Sequence, residues 1–343
     1  MPETPIHVVH FHRRPYEGCF SIECLFTTVR EHLPPHIRCD VAVSRFESHG
    51  VFRRIYIMLE AAFRQESVNH ITGGVSFLAL LMHKKRTVLT VHDFTLLGRF
   101  HGMRRLIYLY LWYIFPIKRC AYVTVISEGV KQELLSHVRY DPARIRVIYD
   151  PVSPDFQANT KGFNSQKPVV LQVGTRDNKN LVRVAAALKG IRCHLRIIGN
   201  LSPEQEKALK DSTIEYSNVS GISDEQVVAE YVECDMLVFA STYEGFGMPI
   251  TEANAVGRPV VTSNLPPMPE VAGDAACLVD PFDVDSIRTG VVRIIEDAEY
   301  RKALIKRGFR NVERFDPSVV AGQYAELYEE VATELKGQPC ELG

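Results

Sequence analysis

Long apolar runs are missing from this 343-residue chain, and none of its hydrophobic stretches approaches the length of a membrane span. The opening Met1–Pro5 leads directly into a strand-like run, without a basic segment and apolar core, so no secretory leader is expected there. The eight cysteines contain no C-x-x-C pair, and several, such as Cys193 and Cys277, sit inside apolar runs. Buried free thiols in a reducing, cytoplasmic compartment are therefore expected, rather than disulfides or zinc. Neither half opens with G-x-G-x-x-G after its first strand, which argues against a dehydrogenase. Internal repeats and low-complexity segments are also missing.

A net charge of −1 hides an asymmetry: residues 1–150 carry 20 Lys/Arg against 13 Asp/Glu, and residues 151–343 carry 20 against 28. Eleven of the twelve histidines lie in the first part. The two parts therefore either face different partners or attract one another.

Short β-rich runs alternate with helix-length segments throughout. Six fall in the first half (6–12, 37–44, 68–72, 87–93, 121–127 and 145–150) and six in the second (168–175, 194–199, 213–218, 235–241, 259–263 and 276–280). Continuous apolar strands such as Val-Val-Leu-Gln-Val suit parallel sheets covered on both faces. The pattern predicts an α/β chain of two Rossmann-like units. They are placed at residues 1–155 and 156–316, joined by a Pro/Ser/Asn-rich linker. A final helical segment, 317–343, is expected to pack back toward the first unit.

The richest segment runs from Ser241 to Asp280. Two carboxylates, Glu244 and Glu252, bracket the glycine turn Gly245-Phe246-Gly247, which opens a helix with Pro249 at its first position. Unpaired N–H groups and the helix dipole make such a turn an anion cradle. The flanking carboxylates suit hydroxyl groups instead. Phosphate donors beside hydroxyl acceptors suggest a nucleotide sugar. Glu252 falls in the first turn by this reading; the alternative for either carboxylate is an ordinary helix-end or loop acid.

The run Glu-Gly-Phe-Gly-x-Pro-x-x-Glu-Ala followed by Gly-x-Pro-Val-Val resembles the donor site of retaining GT-B glycosyltransferases, in particular glycosyltransferase family 4. The resemblance implies a GT-B architecture, two Rossmann-like domains facing across a cleft. It implies that Glu244 contacts the donor sugar, that Glu252 binds ribose hydroxyls, and that backbone N–H groups around Phe246, Gly247 and Met248 meet the diphosphate and sugar. Gly174 ends a strand, and the family places a basic pair after it on the pyrophosphate; Arg176 and Lys179 match. Gly221 and Ile222 correspond to the region cupping the base, though an N-cap by Ser223 or Asp224 explains them too. In the first half, His92 resembles a sugar contact and Asp93 its acceptor-side neighbour. Ser127 matches a loop at the cleft, or simply caps a helix. Where the family shows a glycine pair after the first strand, this chain has Gly18, with Arg13 and Arg14 nearby as candidate contacts for an anionic acceptor.

Asp283-Val-Asp285 has the Asp-x-Asp form of a metal–diphosphate motif, but it opens a helix, where acids are ordinary. No metal or other cofactor is expected. Segment 104–119, apolar and aromatic between cations, reads either as an interfacial helix or, more readily, as a buried one.

The expected function is transfer of a hexose from a UDP- or GDP-linked sugar to a carbohydrate or lipid-linked acceptor with retention, in polysaccharide or glycolipid assembly. Front-face attack is implied, with the leaving phosphate taking the acceptor proton. Nucleic acid is not an expected partner, and peripheral membrane contact through the basic half is conceivable. The alternatives are a nucleotide-sugar epimerase and a noncatalytic nucleotide-sugar-binding subunit.

Overall fold

Twelve strands form two six-stranded, wholly parallel sheets in a computed structural model that describes residues 5–14 and 21–336. The first sheet comprises β1 (Ile6–His12), β2 (Ile37–Val43), β3 (Val68–Ile71), β4 (Thr87–Val91), β5 (Tyr122–Val125) and β6 (Ile145–Val147), in the order β2-β1-β3-β4-β5-β6. The second comprises β7 (Val169–Val173), β8 (His194–Ile198), β9 (Glu215–Val219), β10 (Met236–Phe239), β11 (Val260–Ser263) and β12 (Ala276–Val279), in the order β12-β11-β10-β7-β8-β9. All twelve expected strands are present. Helices cover the sheets, as buried parallel strands require. Two of these helices begin with reciprocal caps, Ser202 with Gln205 and Ser223 with Gln226.

The chain divides into unit 1, residues 1–151 with 317–343, and unit 2, residues 152–316. The boundary lies four residues before the expected 155/156, because Val152 N–H already bonds Phe315 O within unit 2. The final helix, Pro317–Lys336, belongs to unit 1. Its Val320, Tyr324, Leu327, Tyr328 and Val331 share a core with Val8, Phe26, Val68 and Val88.

That core contains a hydrogen-bond chain of fixed direction. The Arg30 guanidinium can only donate, so His10 Nδ1 (3.4 Å) and His12 Nε2 (3.0 Å) are acceptors. His10 Nε2–H then donates to the Tyr328 hydroxyl (2.8 Å), which donates to His70 Nδ1 (2.7 Å). His70 Nε2–H donates to Thr90 Oγ1 (2.7 Å), which meets Thr124 Oγ1 at 2.6 Å. Burial lowers all of these imidazoles: His12 to about 4, His70 to about 3, and His10 well below its usual value. Each is neutral when folded and binds a proton more readily when unfolded. Their stabilisation is thus present above the unfolded histidine range and lost as pH falls below about 6.5. Burial raises Asp150 and Glu252 to about 7, an opposing effect of fewer groups. A urea-unfolding series from pH 6 to pH 5 should show stability falling by about 1 kcal/mol per pH unit, the net of three lowered imidazoles against two raised carboxyls. An unchanged or rising midpoint would refute the neutral assignment.

Two sequence expectations need correction. Segment 104–119 is not a buried helix. The helix Gly102–Leu109, the π turn Tyr110–Ile114 and the helix Phe115–Lys118 run on without a break, and residues 102–107, 110, 111 and 115 are exposed. Only one flank, with Tyr113, Pro116 and Ile117, enters the core. Among the described residues no two cysteines are joined by a disulfide; Cys24 is exposed and Cys39 half-buried, whereas Cys120, Cys193, Cys234 and Cys277 are buried as expected. Cys19 and Cys340 lie outside the described residues.

Candidate functional site

In unit 2 the strand order reverses direction at the β7/β10 pair, and ligands of such sheets bind beyond the carboxyl ends of strands at that switch point. The loops leaving β7 and β10 carry the two strongest candidates. Gly174 follows β7 with φ +85°, and a Cβ there would lie 3.0–3.3 Å from the Lys179 stem. Glycine therefore lets the lysine fold back across the turn. Its ammonium meets Glu244 Oε1 at 2.7 Å and sits 4.6 Å from the centre of the Phe239 ring. Asn178 Nδ2 donates to the same Glu244 oxygen (3.2 Å) and to Tyr243 O (2.8 Å), while its carbonyl accepts Thr242 N–H. Asn180, in the left-handed region at φ 63°, donates to Ala240 O and Pro281 O. These two asparagines, not singled out from sequence, tie the loops after β7, β10 and β12 together. Ser241 Oγ and Gln172 Oε1 are buried at the same strand ends and have no hydrogen-bond partner among the described residues. Arg176 is exposed and forms no ion pair among the described residues, so the structure does not bring it to Glu244.

The glycine turn after β10 opens the helix Met248–Val256 with Gly247 at its N-cap, φ +111°. Met248 and Pro249 take its first two positions, so Pro249 stands one position later than expected. Glu252 consequently falls at the fifth position, in the second turn. There its carboxylate accepts a hydrogen bond from the Tyr231 hydroxyl, and burial, the larger influence, raises its pKa to about 7. The Phe246 side chain is buried against Phe315, so only its backbone is placed to meet a ligand. Gly221 (φ +64°) and Ile222 precede the helix Asp224–Glu233, whose N-cap is Ser223. Asp283 likewise caps the helix Val284–Glu296 by accepting from Asp285 N–H (2.9 Å).

In unit 1 the switch falls between β1 and β3. Thr72 follows β3 and is itself followed by Gly73 and Gly74, a pair that sequence reasoning passed over. A Cβ on Gly73 would lie 2.6 Å from His92 Cδ2, and one on Gly74 3.0 Å from Arg13 Cδ. The glycines thus seat His92 and Arg13 side by side. His92 Nε2–H donates to Thr72 O (2.7 Å), leaving Nδ1 as an acceptor, and burial lowers its pKa. Arg13 pairs with Glu23 (3.0 Å). Arg14 donates to Arg45 O (2.7 Å). Asp93 accepts Thr95 N–H at 2.8 Å, and the buried Ser127 caps the helix Glu128–His137. Both therefore have local backbone roles. Gly18 lies outside the described residues.

Residues 154–311 match the family model "Glycosyl transferases group 1", and residues 44–156 match "Glycosyltransferase Family 4". The solved structure of Anabaena HepE, in complex with UDP and glucose, superposes with TM-score 0.73 at 15% identity, covering 95% of this chain and 100% of that one. WaaG, a glycosyltransferase involved in lipopolysaccharide biosynthesis, gives TM-score 0.68 at 14% identity, with 94% and 99% covered. Each segment is thus similar to a glycosyltransferase family, and the fold is GT-B. Curated relatives of this GT-B chain include O-antigen chain mannosyltransferase B of Escherichia coli, 36% identical over 32% of the chain and 28% of the relative. The MMP alpha-(1->4)-mannosyltransferase of Mycolicibacterium hassiacum is 34% identical over 61% of the chain and 54% of the relative. The chain thus spans about half or less of the length of these two relatives. The group 1 match encloses both loops of the Lys179–Glu244 pair.

Proposed function

We propose that the chain transfers a hexose from a nucleoside diphosphate sugar, UDP- or GDP-linked, to an acceptor hydroxyl with retention of configuration and without a metal. The single observation that carries this reading is the Lys179–Glu244 pair at the β7/β10 switch point of unit 2. Cleavage of the glycosidic bond builds negative charge on the leaving diphosphate. A fixed ammonium at Lys179, joined by the exposed Arg176, would stabilise that charge. Glu244 would accept hydrogen bonds from the sugar hydroxyls. Glu252, on the first helix after β10, would accept them from the ribose. Backbone N–H groups at Gly247 and Met248 add the helix-end donors. The names of the mannosyltransferase relatives favour mannose as the sugar, and a carbohydrate or lipid-linked acceptor in glycan assembly. We assign donor binding to unit 2, and acceptor recognition to unit 1 through His92 and Arg13.

A thermal-shift comparison of UDP, GDP and ADP, followed by transfer assays with the matching sugars, tests this reading. One diphosphate should stabilise the fold by about 2–3 kcal/mol at a hundredfold excess over its Kd. No shift with any of the three would refute donor binding.

The hydroxyl of Tyr231 donates to Glu252 and so favours its charged form. Tyr231→Phe should therefore move the acid limb of the donor-affinity profile upward by about one pH unit and raise the donor KM, with kcat little changed. An identical profile in the variant would exclude Glu252 as a donor contact.

A further inference from the structure

Large apolar side chains are exposed at 20 positions among the described residues, and 12 of them crowd onto two neighbouring helices of unit 1. Six lie on the helix Val51–Phe63, where Phe52 and Phe63 are each 89% exposed and Tyr56 stands between them. Six more lie on the continuous helix from Gly102 to Lys118, including Met103 (70% exposed), Ile107 and Tyr110, at three- and four-residue intervals. The helices are neighbours: the Arg54 guanidinium lies 4.5 Å from the centre of the Trp112 ring. Both pack on the same short turn, Ser76–Leu80. The inner flanks of the pair enter the core through Ile57, Ala61, Tyr113 and Ile117. Apart from Tyr56, whose ring meets Phe46, the outward stripes stay exposed among the described residues, and such a contiguous patch is unusual on a soluble monomer.

Charge decides the occupant. Between residues 51 and 127, which include both helices, the chain has eleven Lys/Arg against three carboxylates, Glu60, Glu66 and Asp93. Arg53, Arg104 and Arg105 are exposed on the two helices themselves. A second copy docked by a two-fold contact would set these cations against their own counterparts. An anionic bilayer meets both halves of the surface, apolar stripes entering the acyl boundary and cations meeting the headgroups.

We propose that this two-helix face of unit 1 docks on membranes containing anionic lipid. No helix among the described residues is long and apolar enough to cross a membrane, so the contact is interfacial. The face shares no residue with the loops described above after β1, β3, β7 or β10, so the inference stands or falls independently of the proposed reaction.

Co-sedimentation of the full chain with phosphatidylcholine vesicles, with and without phosphatidylglycerol, tests it. The chain should bind the anionic vesicles and hardly the neutral ones. Arg104→Gln/Arg105→Gln should bind roughly 25-fold more weakly, at about fivefold per cation. Phe52→Ser/Phe63→Ser should lose about tenfold or more through reduced apolar burial. Both variants should keep the parent's unfolding midpoint, since every replaced side chain is exposed. Failure to bind anionic vesicles, or equal binding by the variants and the parent, overturns the proposal. So does a dimer of the purified chain that Phe52→Ser/Phe63→Ser converts to monomer, which would assign the face to a second copy.

Discussion

Replacing Lys179 by alanine is expected to lower kcat/KM for sugar transfer by about a thousandfold, the size of effect seen when a preorganised partner of a developing anion is removed. The ammonium is held at its post by three separate constraints: the Gly174 turn beneath its stem, the Phe239 ring and the Glu244 carboxylate at 2.7 Å. A solvated lysine would have to give up rotamer freedom when the donor arrives, and this one has given it up already. Lys179→Ala leaves Glu244 with its hydrogen bond from Asn178, so the loss of stability should stay near 1–3 kcal/mol and the fold should persist. Glu244→Ala should behave alike, losing transfer while remaining folded. Steady-state kinetics alongside circular dichroism separate the two effects. Transfer within about threefold of the parent in both variants would dissociate the pair from the chemistry.

The second large effect is on stability. Arg258 is 3% exposed, and its guanidinium donates to the carbonyls of Asn159, Tyr231, Val232, Val256 and Gly257. It thereby joins the segment entering unit 2, the end of the helix Asp224–Glu233 and the end of the helix Met248–Val256. Arg258→Met keeps the length of the stem and removes every donor, stranding the carbonyls of the buried Tyr231, Val256 and Gly257 and of the half-buried Val232. Unit 2 should lose about 3–5 kcal/mol, measurable as a lower urea midpoint with unchanged m. Donor affinity should also fall, because the same guanidinium fixes the backbone of Tyr231, the residue that holds Glu252. A stability change below about 1 kcal/mol would show that the carbonyls find other partners.

Twelve strands could be read from the sequence because buried parallel strands are written as unbroken apolar runs between breakers, a signal that survives without any tertiary information. Lys179 and Glu244 were each visible within a motif. Their mutual ion pair was not, since 65 residues separate them and only the reversal of strand order brings β7 beside β10. The histidines at 10, 12 and 70 escaped notice for a related reason. Each lies within or at the end of a strand, and the partner of two of them, Tyr328, is 258 or more residues away. Glu252 was misplaced by one position, enough to move it from the first turn to the second, because the helix begins at Met248 rather than at Pro249. The 102–118 segment misled by composition: apolar on most sides, it satisfies both a buried and an interfacial reading, and only its neighbours determine which flank is covered.

The return of the helix Pro317–Lys336 to unit 1 sets an order of assembly during synthesis. Seven of the seventeen buried residues in the unit 1 core cluster come from this helix. The ribosome must therefore deliver all of unit 2 before the Tyr328 hydroxyl can reach His10 and His70. Residues 152–316 are contiguous and can complete their own core earlier. The first half to be translated is thus the last to close, and until then it waits with an open apolar face and with His10 and His70 lacking their tyrosine partner. A chain broken off before Tyr324 would leave unit 2 intact and unit 1 without the keystone of its core.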